Sequence, residues 1–233
     1  MESTQEPLGL EGHSNQMRGS HLAVMLSASV LCVGSASAQG FVRDPMSVTG
    51  KFSFFEERVF GPRAAFVTSF TAGLHMLTAP SGYPREWRDG AGAYSRNVGD
   101  HYARHGAQGT AQFAVSALLH EDSRYVSSTS TSFLARVTHA IGYTIADQTD
   151  GGHRTLAVSN FAGAAAGGFV GTAYMPDGFN DTTHAGQRAL QVLAGMAGRN
   201  LAAEFAPGIV RIVRKLGLPT TGKIPIPVWW TGQ

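Results

Sequence analysis

The sequence predicts an all-α fold: a compact helical domain held by small-residue packing, followed by an extended, proline-rich C-terminal tail. Three observations predict it. Apolar residues recur at helical spacing in long segments, as in Leu190, Leu193, Ala194, Ala197, Leu201 and Ala202. Gly163, Gly167 and Gly171 stand four apart within the uncharged run from Thr155 to Pro176, so they share one helix face. Each glycine costs about 1 kcal/mol in a helix interior, and close approach of a second helix is what offsets such a cost. Finally, no strand–helix alternation marks parallel βαβ units, and no convincing set of hairpins is present.

The elements follow in order. Residues 39–50, with Pro45 and Gly50, read as an irregular lead-in. A first helix begins near Lys51 and breaks at Gly61-Pro62. Residues 63–79 resume as a helix with Ala65, Ser69, Gly73 and Leu77 along one stripe and Phe66, Phe70 and Leu74 beside it. After the turn at 80–84, a polar helix spans 85–104 and a more apolar one 106–119. Thr131 or Ser132 caps a helix from Phe133 to about Ala146. A turn-rich loop spans Gln148 to Arg154. The glycine-repeat helix covers about Leu156 to Tyr174. A long helix opens at Thr182 or Thr183 and stops at Pro207-Gly208. The helical domain therefore covers 51–216. The tail, 217–233, holds Pro219, Pro225 and Pro227 and carries Trp229 and Trp230 as a docking pair.

The first 38 residues read as a signal peptide, with 1–16 an upstream extension. Arg18 gives a basic start, Leu22 to Val33 the apolar core, and Ala36-Ser37-Ala38 the small-x-small cleavage site. Its removal takes away the single cysteine, Cys32, so disulfide and thiol chemistry are not expected. Basic residues fall from 18 to 17 and acidic ones from 16 to 13, leaving a net charge of about +4. That scattered charge argues against nucleic acid as a partner. The expectation is an exported protein of the periplasm or outer membrane.

Four groups of residues invite chemistry. His101 and His105, at i and i+4, can face one metal, with His120 as a third ligand from beyond the helix. Glu121 and Asp122 offer paired carboxylates for acid–base work; the alternative is a turn in which Arg124 pairs with a carboxylate and Tyr125 packs its ring. Asp147, Asp150, Gly151 and Gly152 suit calcium or, equally, a turn. Lys51-x6-Arg58, Pro80-Ser81-Gly82 and Ser95-Arg96…His101 echo lipid-phosphate phosphatases. However, Tyr83 stands where that family has histidine, and the Arg96–His101 spacing is one residue short.

The chain from about Phe54 to Ile209 resembles a large family of uncharacterised exported bacterial proteins. The stretches that carry the resemblance are Pro84-Arg85-Glu86-Trp87, Leu119 to Tyr125, Thr149-Asp150-Gly151-Gly152 with Arg154-Thr155, and Ser159 to Gly163. Tyr174 to Asp177 and Asn200 to Ile209 complete them. Relatives carry proline where this chain has Ser123, and Trp-Pro-Asp-Ile where it has Ala206 to Ile209. The resemblance implies no activity, cofactor or catalytic residue. The function expected is non-enzymatic: a helical envelope protein that packs against itself, a partner or a membrane surface, without a cofactor. The alternative is a metal-assisted hydrolase using His101, His105, His120 and Glu121.

Overall fold

A computed structural model describes residues 44–79 and 82–215. The expected signal segment, and the tail with Trp229 and Trp230, lie outside the described residues. Helix α1 (Val48–Phe60) starts three residues before Lys51 because Ser47 caps it, its hydroxyl accepting from Gly50 N at 3.1 Å. Gly61 is extended, as a residue before proline must be, and Pro62 opens α2 (Pro62–Leu77). Glycine is needed at this break for a steric reason: a Cβ there would lie 2.3 Å from the Glu57 carbonyl oxygen.

A single turn, α3 (Arg85–Arg88), leads into α4 (Gly90–Leu118). The two helices expected on either side of residue 105 are thus one. Gly106 is tolerated inside it because α4 is the central helix, packed by α1, α2 and α3 and later by α6, so tertiary contacts outweigh propensity. His120 (φ 55°) closes α4 in the left-handed conformation.

The small antiparallel sheet that follows was not expected. It consists of β1 (Glu121–Asp122), β2 (Ala146–Thr149) and β3 (Arg154–Leu156), in the order β1-β2-β3. Glu121 stands opposite Thr149, and Asp147 opposite Thr155. Strands of two to four residues are too short for the period-two pattern to show. The β2–β3 turn, with Gly152 at φ 79°, is what the Asp/Gly cluster builds. Between β1 and β2 lies α5 (Phe133–Gly142), which ends before Ala146. Ser132 is its N-cap residue but makes no side-chain capping bond.

Helix α6 (Val158–Phe169) tightens into a 3-10 turn at Val170–Ala173, and α7 (Thr182–Lys215) completes the domain. The stop expected at Pro207 does not occur. Helix α7 runs on through the proline, and Arg136 Nη2 donates to the Glu204 carbonyl at 2.5 Å, next to the Ala203 carbonyl whose helical donor the proline lacks.

Helix α6 packs between α4 and α7. A Cβ on Gly163 would lie 2.3 Å from Gln112 Cγ and 3.0 Å from the Gln108 carbonyl. One on Gly167 would lie 3.1 Å from the Arg104 carbonyl, and one on Gly171 3.1 Å from Arg188 Nε. Gly163 and Gly167 therefore approach α4 closely, while Gly171, in the 3-10 turn, meets the Arg188 side chain of α7. Gly168, one residue round the helix, does the same toward α7: its Cβ would meet Ala185 O and Ala189 N at 2.6 Å.

Close approach leaves little room for large side chains, and the core is small and polar. Its largest fully buried side chains include Gln112, Glu121, Glu204 and Asn97. Phe55, Tyr83, Tyr143 and Met196 are buried, but many large apolar groups lie outside. On α2 the buried residues are Thr68 and Ala72, whereas Phe66 (69%), Phe70 (64%) and Leu77 (85%) are exposed. On α7 Leu190 faces outward while Ala185, Arg188 and Met196 are buried. No helix among the described residues is long and apolar enough to cross a membrane.

Candidate functional site

The expected metal and carboxylate residues separate into structural roles. From His105 to the end of α4 is about 20 Å of helix axis at 1.5 Å per residue, so His120 cannot join the His101–His105 pair. His120 is instead exposed, 3.6 Å from Asp150, whose carboxylate pairs with Lys51 at 2.8 Å. Among the described residues no group of three or more His, Cys, Asp or Glu side chains is arranged to hold a metal. Glu121 is buried and caps α6 from β1, accepting from Val158 N at 3.1 Å and Ser159 N at 3.0 Å. A carboxylate there satisfies two orphan amides and complements the helix dipole. Asp122 binds Arg124 through both oxygens (2.8 and 3.0 Å from Nε), and Arg124 reaches on to the Asp44 carbonyl. Tyr125 donates to Glu204 at 2.7 Å. Neither Glu121 nor Asp122 is free for acid–base chemistry.

Two cavities bear on the question. The smaller, about 20 Å³, is lined by Arg58, Tyr143, Asp147 and Asn160 among others. Burial pushes the Asp147 carboxyl up to about 8, and the neighbouring acids Glu121 and Asp122 add to the shift. The space holds about one water, so this carboxyl has no room for a substrate.

The larger, about 350 Å³, lies where one face of each of three helices converges. From α2 come Thr71, Leu74, His75 and Thr78; from α4, His101, Arg104, His105 and Gln108; from α7, Arg188, Gln191, Val192, Gly195 and Arg199. Within each helix the residues recur at i, i+3, i+4 and i+7, so each set is a single stripe. The His101–His105 pair is here, its rings stacked with centroids 6.3 Å apart. Burial drives His101 down to about 3 and His105 to about 4, and nearby arginines push the same way, so both imidazoles are neutral at pH 7. His75 Nδ1 lies 2.7 Å from Asn97 Oδ1. The Asn97 amide nitrogen donates elsewhere, to the Trp87 and Ala93 carbonyls, so His75 carries its proton on Nδ1.

The arginines give the cavity its character. Arg104 Nη2 pairs with buried Asp100 at 2.6 Å, and Asp100 also accepts from Tyr174 at 2.8 Å. Arg188 is 8% exposed and donates to the Gly168 and Phe179 carbonyls. Its Nη2 is buried without an acceptor, as are Arg104 Nε and both Nε and Nη2 of Arg199. Among the described residues no carboxylate pairs with Arg188 or Arg199. Burial lowers Arg199 well below the ordinary arginine range, and Arg58 and Arg63 push the same way. A guanidinium does not give up its proton in a protein, so the shift expresses an uncompensated buried charge. The buried Nε and Nη2 of Arg199 have no acceptor among the described residues, and an anion would supply one.

The sequence reading found the histidine pair but not its partners. The signal was present: Arg188 and Arg199 fall on one face of α7, and Arg104 lies between the two histidines. It was masked because the apolar stripe of the same helix was the stronger pattern. No protein-family profile, curated protein or solved structure matches the chain, so the site stands on its own geometry.

Proposed function

We propose that this is a non-enzymatic binding protein that holds an anionic ligand in the cavity between α2, α4 and α7. The observation that supports it is the set of guanidinium nitrogens on Arg104, Arg188 and Arg199 left without acceptors around that cavity. The sequence supports an exported protein of the cell envelope, akin to a family of uncharacterised exported bacterial proteins, with a membrane surface, an envelope protein or a second copy as partner. The metal-assisted hydrolase is the weaker reading, since His120 and Glu121 stand apart from His101 and His105.

The test is thermal unfolding of the full chain in inorganic phosphate against chloride at matched ionic strength, which removes general screening. Phosphate is expected to raise Tm in a saturable way, and Arg199→Gln to abolish the rise. Equal melting in both salts for the parent would overturn the reading.

A further inference from the structure

The cavity is not uniformly polar, and its apolar margin continues outside it. Leu74 lines the cavity and is also 47% exposed. Phe70 and Phe66 precede it by four and eight residues, and Leu77 follows by three, so the four form one stripe along α2. Phe66 and Phe70 stack with centroids 6.4 Å apart and planes 11° from parallel, yet both are mostly solvent-exposed. The stripe therefore runs from open surface directly to the mouth of the cationic cavity.

On the facing wall Val192 adds apolar surface, and Gly195 leaves space, since a Cβ there would meet nothing within 4 Å. The volume, about 350 Å³, is roughly ten times that of a water molecule in the liquid and is more than a small inorganic anion needs. Charge and apolar surface are also segregated. The acceptor-less nitrogens belong to Arg104, Arg188 and Arg199 on α4 and α7, whereas the exposed stripe of Phe66, Phe70, Leu74 and Leu77 belongs to α2.

Resting on the anion-binding reading, we propose that the ligand is an anionic amphiphile. Its acidic head meets Arg199 on α7, and its hydrocarbon chain leaves past Leu74 along Phe70 and Phe66. The occupant of the α2 stripe is thus the ligand's own chain. Head-group charge complements the unpaired guanidinium groups, and chain burial removes the exposed phenyl and leucine surface from water.

The experiment compares inorganic phosphate, dodecyl phosphate below its micelle concentration, and dodecyl maltoside, each titrated into the full chain by calorimetry. Circular dichroism alongside verifies that the helices persist. Dodecyl phosphate is expected to bind about a hundredfold or more tighter than phosphate, and dodecyl maltoside not to bind. Phe66→Ser and Phe70→Ser, both at exposed positions outside the cavity that should leave folding intact, are expected to weaken dodecyl phosphate about tenfold each and leave phosphate unchanged. Arg199→Gln is expected to weaken both anions. If phosphate and dodecyl phosphate bind equally, the amphiphile proposal fails and the anion reading stands. If neither binds, both fail. If dodecyl maltoside binds as tightly as dodecyl phosphate, the stripe is a general apolar surface and the proposal is overturned.

Discussion

Arg199 and Glu204 lie little more than one turn apart on α7; Glu204 is buried and Arg199 half-buried, and their surroundings are opposite. Glu204, 1% exposed, accepts from Tyr125 at 2.7 Å, Ser128 N at 2.9 Å and Arg136 Nε at 2.6 Å. Burial alone would raise its carboxyl; the bonds from Tyr125, Arg136 and Ser128 outweigh it and hold the group below the ordinary carboxylate range. Arg199 has two buried nitrogens without acceptors and two further arginines acting against its charge. A closed network of this kind fastens α5 and the serine-rich loop to α7. An open one carries a cost that none of the described residues relieves. The contrast separates a structural charge from a candidate binding charge without any appeal to resemblance.

Removing Glu204 should have the largest effect. Glu204→Ala leaves Arg136 and Tyr125 without their acceptor and should destabilise the protein by about 3 kcal/mol or more, read from urea unfolding. A loss below about 1 kcal/mol would mean that the network is not closed in the sense argued.

The contrast also assumes that α6 and α7 cannot shift to bury Arg199 better. Gly168→Ala tests that rigidity, because its Cβ would meet backbone atoms at 2.6 Å, and should cost about 2–3 kcal/mol. Gly167→Ala, with its nearest atoms at 3.1 Å, should cost about 1 kcal/mol or less, partly offset by helix propensity. Gly167→Leu should exceed both. If the two alanine variants rank in the reverse order, the α6–α7 contact is softer than described.

Arg199→Met should go the other way. Replacing an uncompensated buried charge by an apolar side chain of similar length should stabilise the ligand-free protein by about 1–3 kcal/mol while weakening anion binding. A lower Tm in the ligand-free variant would show that Arg199 is a structural charge like Glu204.

The smallest effect is on pH. His101 and His105 are depressed to about 3 and 4 in the fold, so as pH falls below 6.5 the unfolded chain gains two protons that the fold refuses, and stability is lost. Asp147 is raised to about 8, so it opposes them: it adds stability as pH falls from 8 toward 4. Above pH 6.5 only Asp147 acts; between 6.5 and 5 the two histidines outweigh it by about one proton, or at most roughly 1.4 kcal/mol per pH unit. Stability should therefore peak near pH 6.5, and Asp147→Asn should remove the decline above it. Unchanged melting from pH 5 to 8 would contradict these environments.

What the sequence determined by itself is local and repetitive. Helical class, the break at Gly61-Pro62, the turn at Gly151-Gly152 and the shared face of Gly163 and Gly167 all follow from steric properties of single residues or from a four-residue period. Such signals survive in one dimension because they need no distant partner. The tertiary structure decided the rest. It merged two expected helices into α4, carried α7 through Pro207, and turned the phenylalanines of α2 outward while Thr68 and Ala72 turned in. It assigned Glu121 to cap a helix 37 residues later in the chain. It also brought Arg104, Arg188 and Arg199 around one cavity from helices far apart in sequence. A periodic pattern shows which residues share a face, but not what that face meets. Whether a buried charge is satisfied depends on acceptors supplied by other segments, and only the packed chain shows that those of Arg199 are missing.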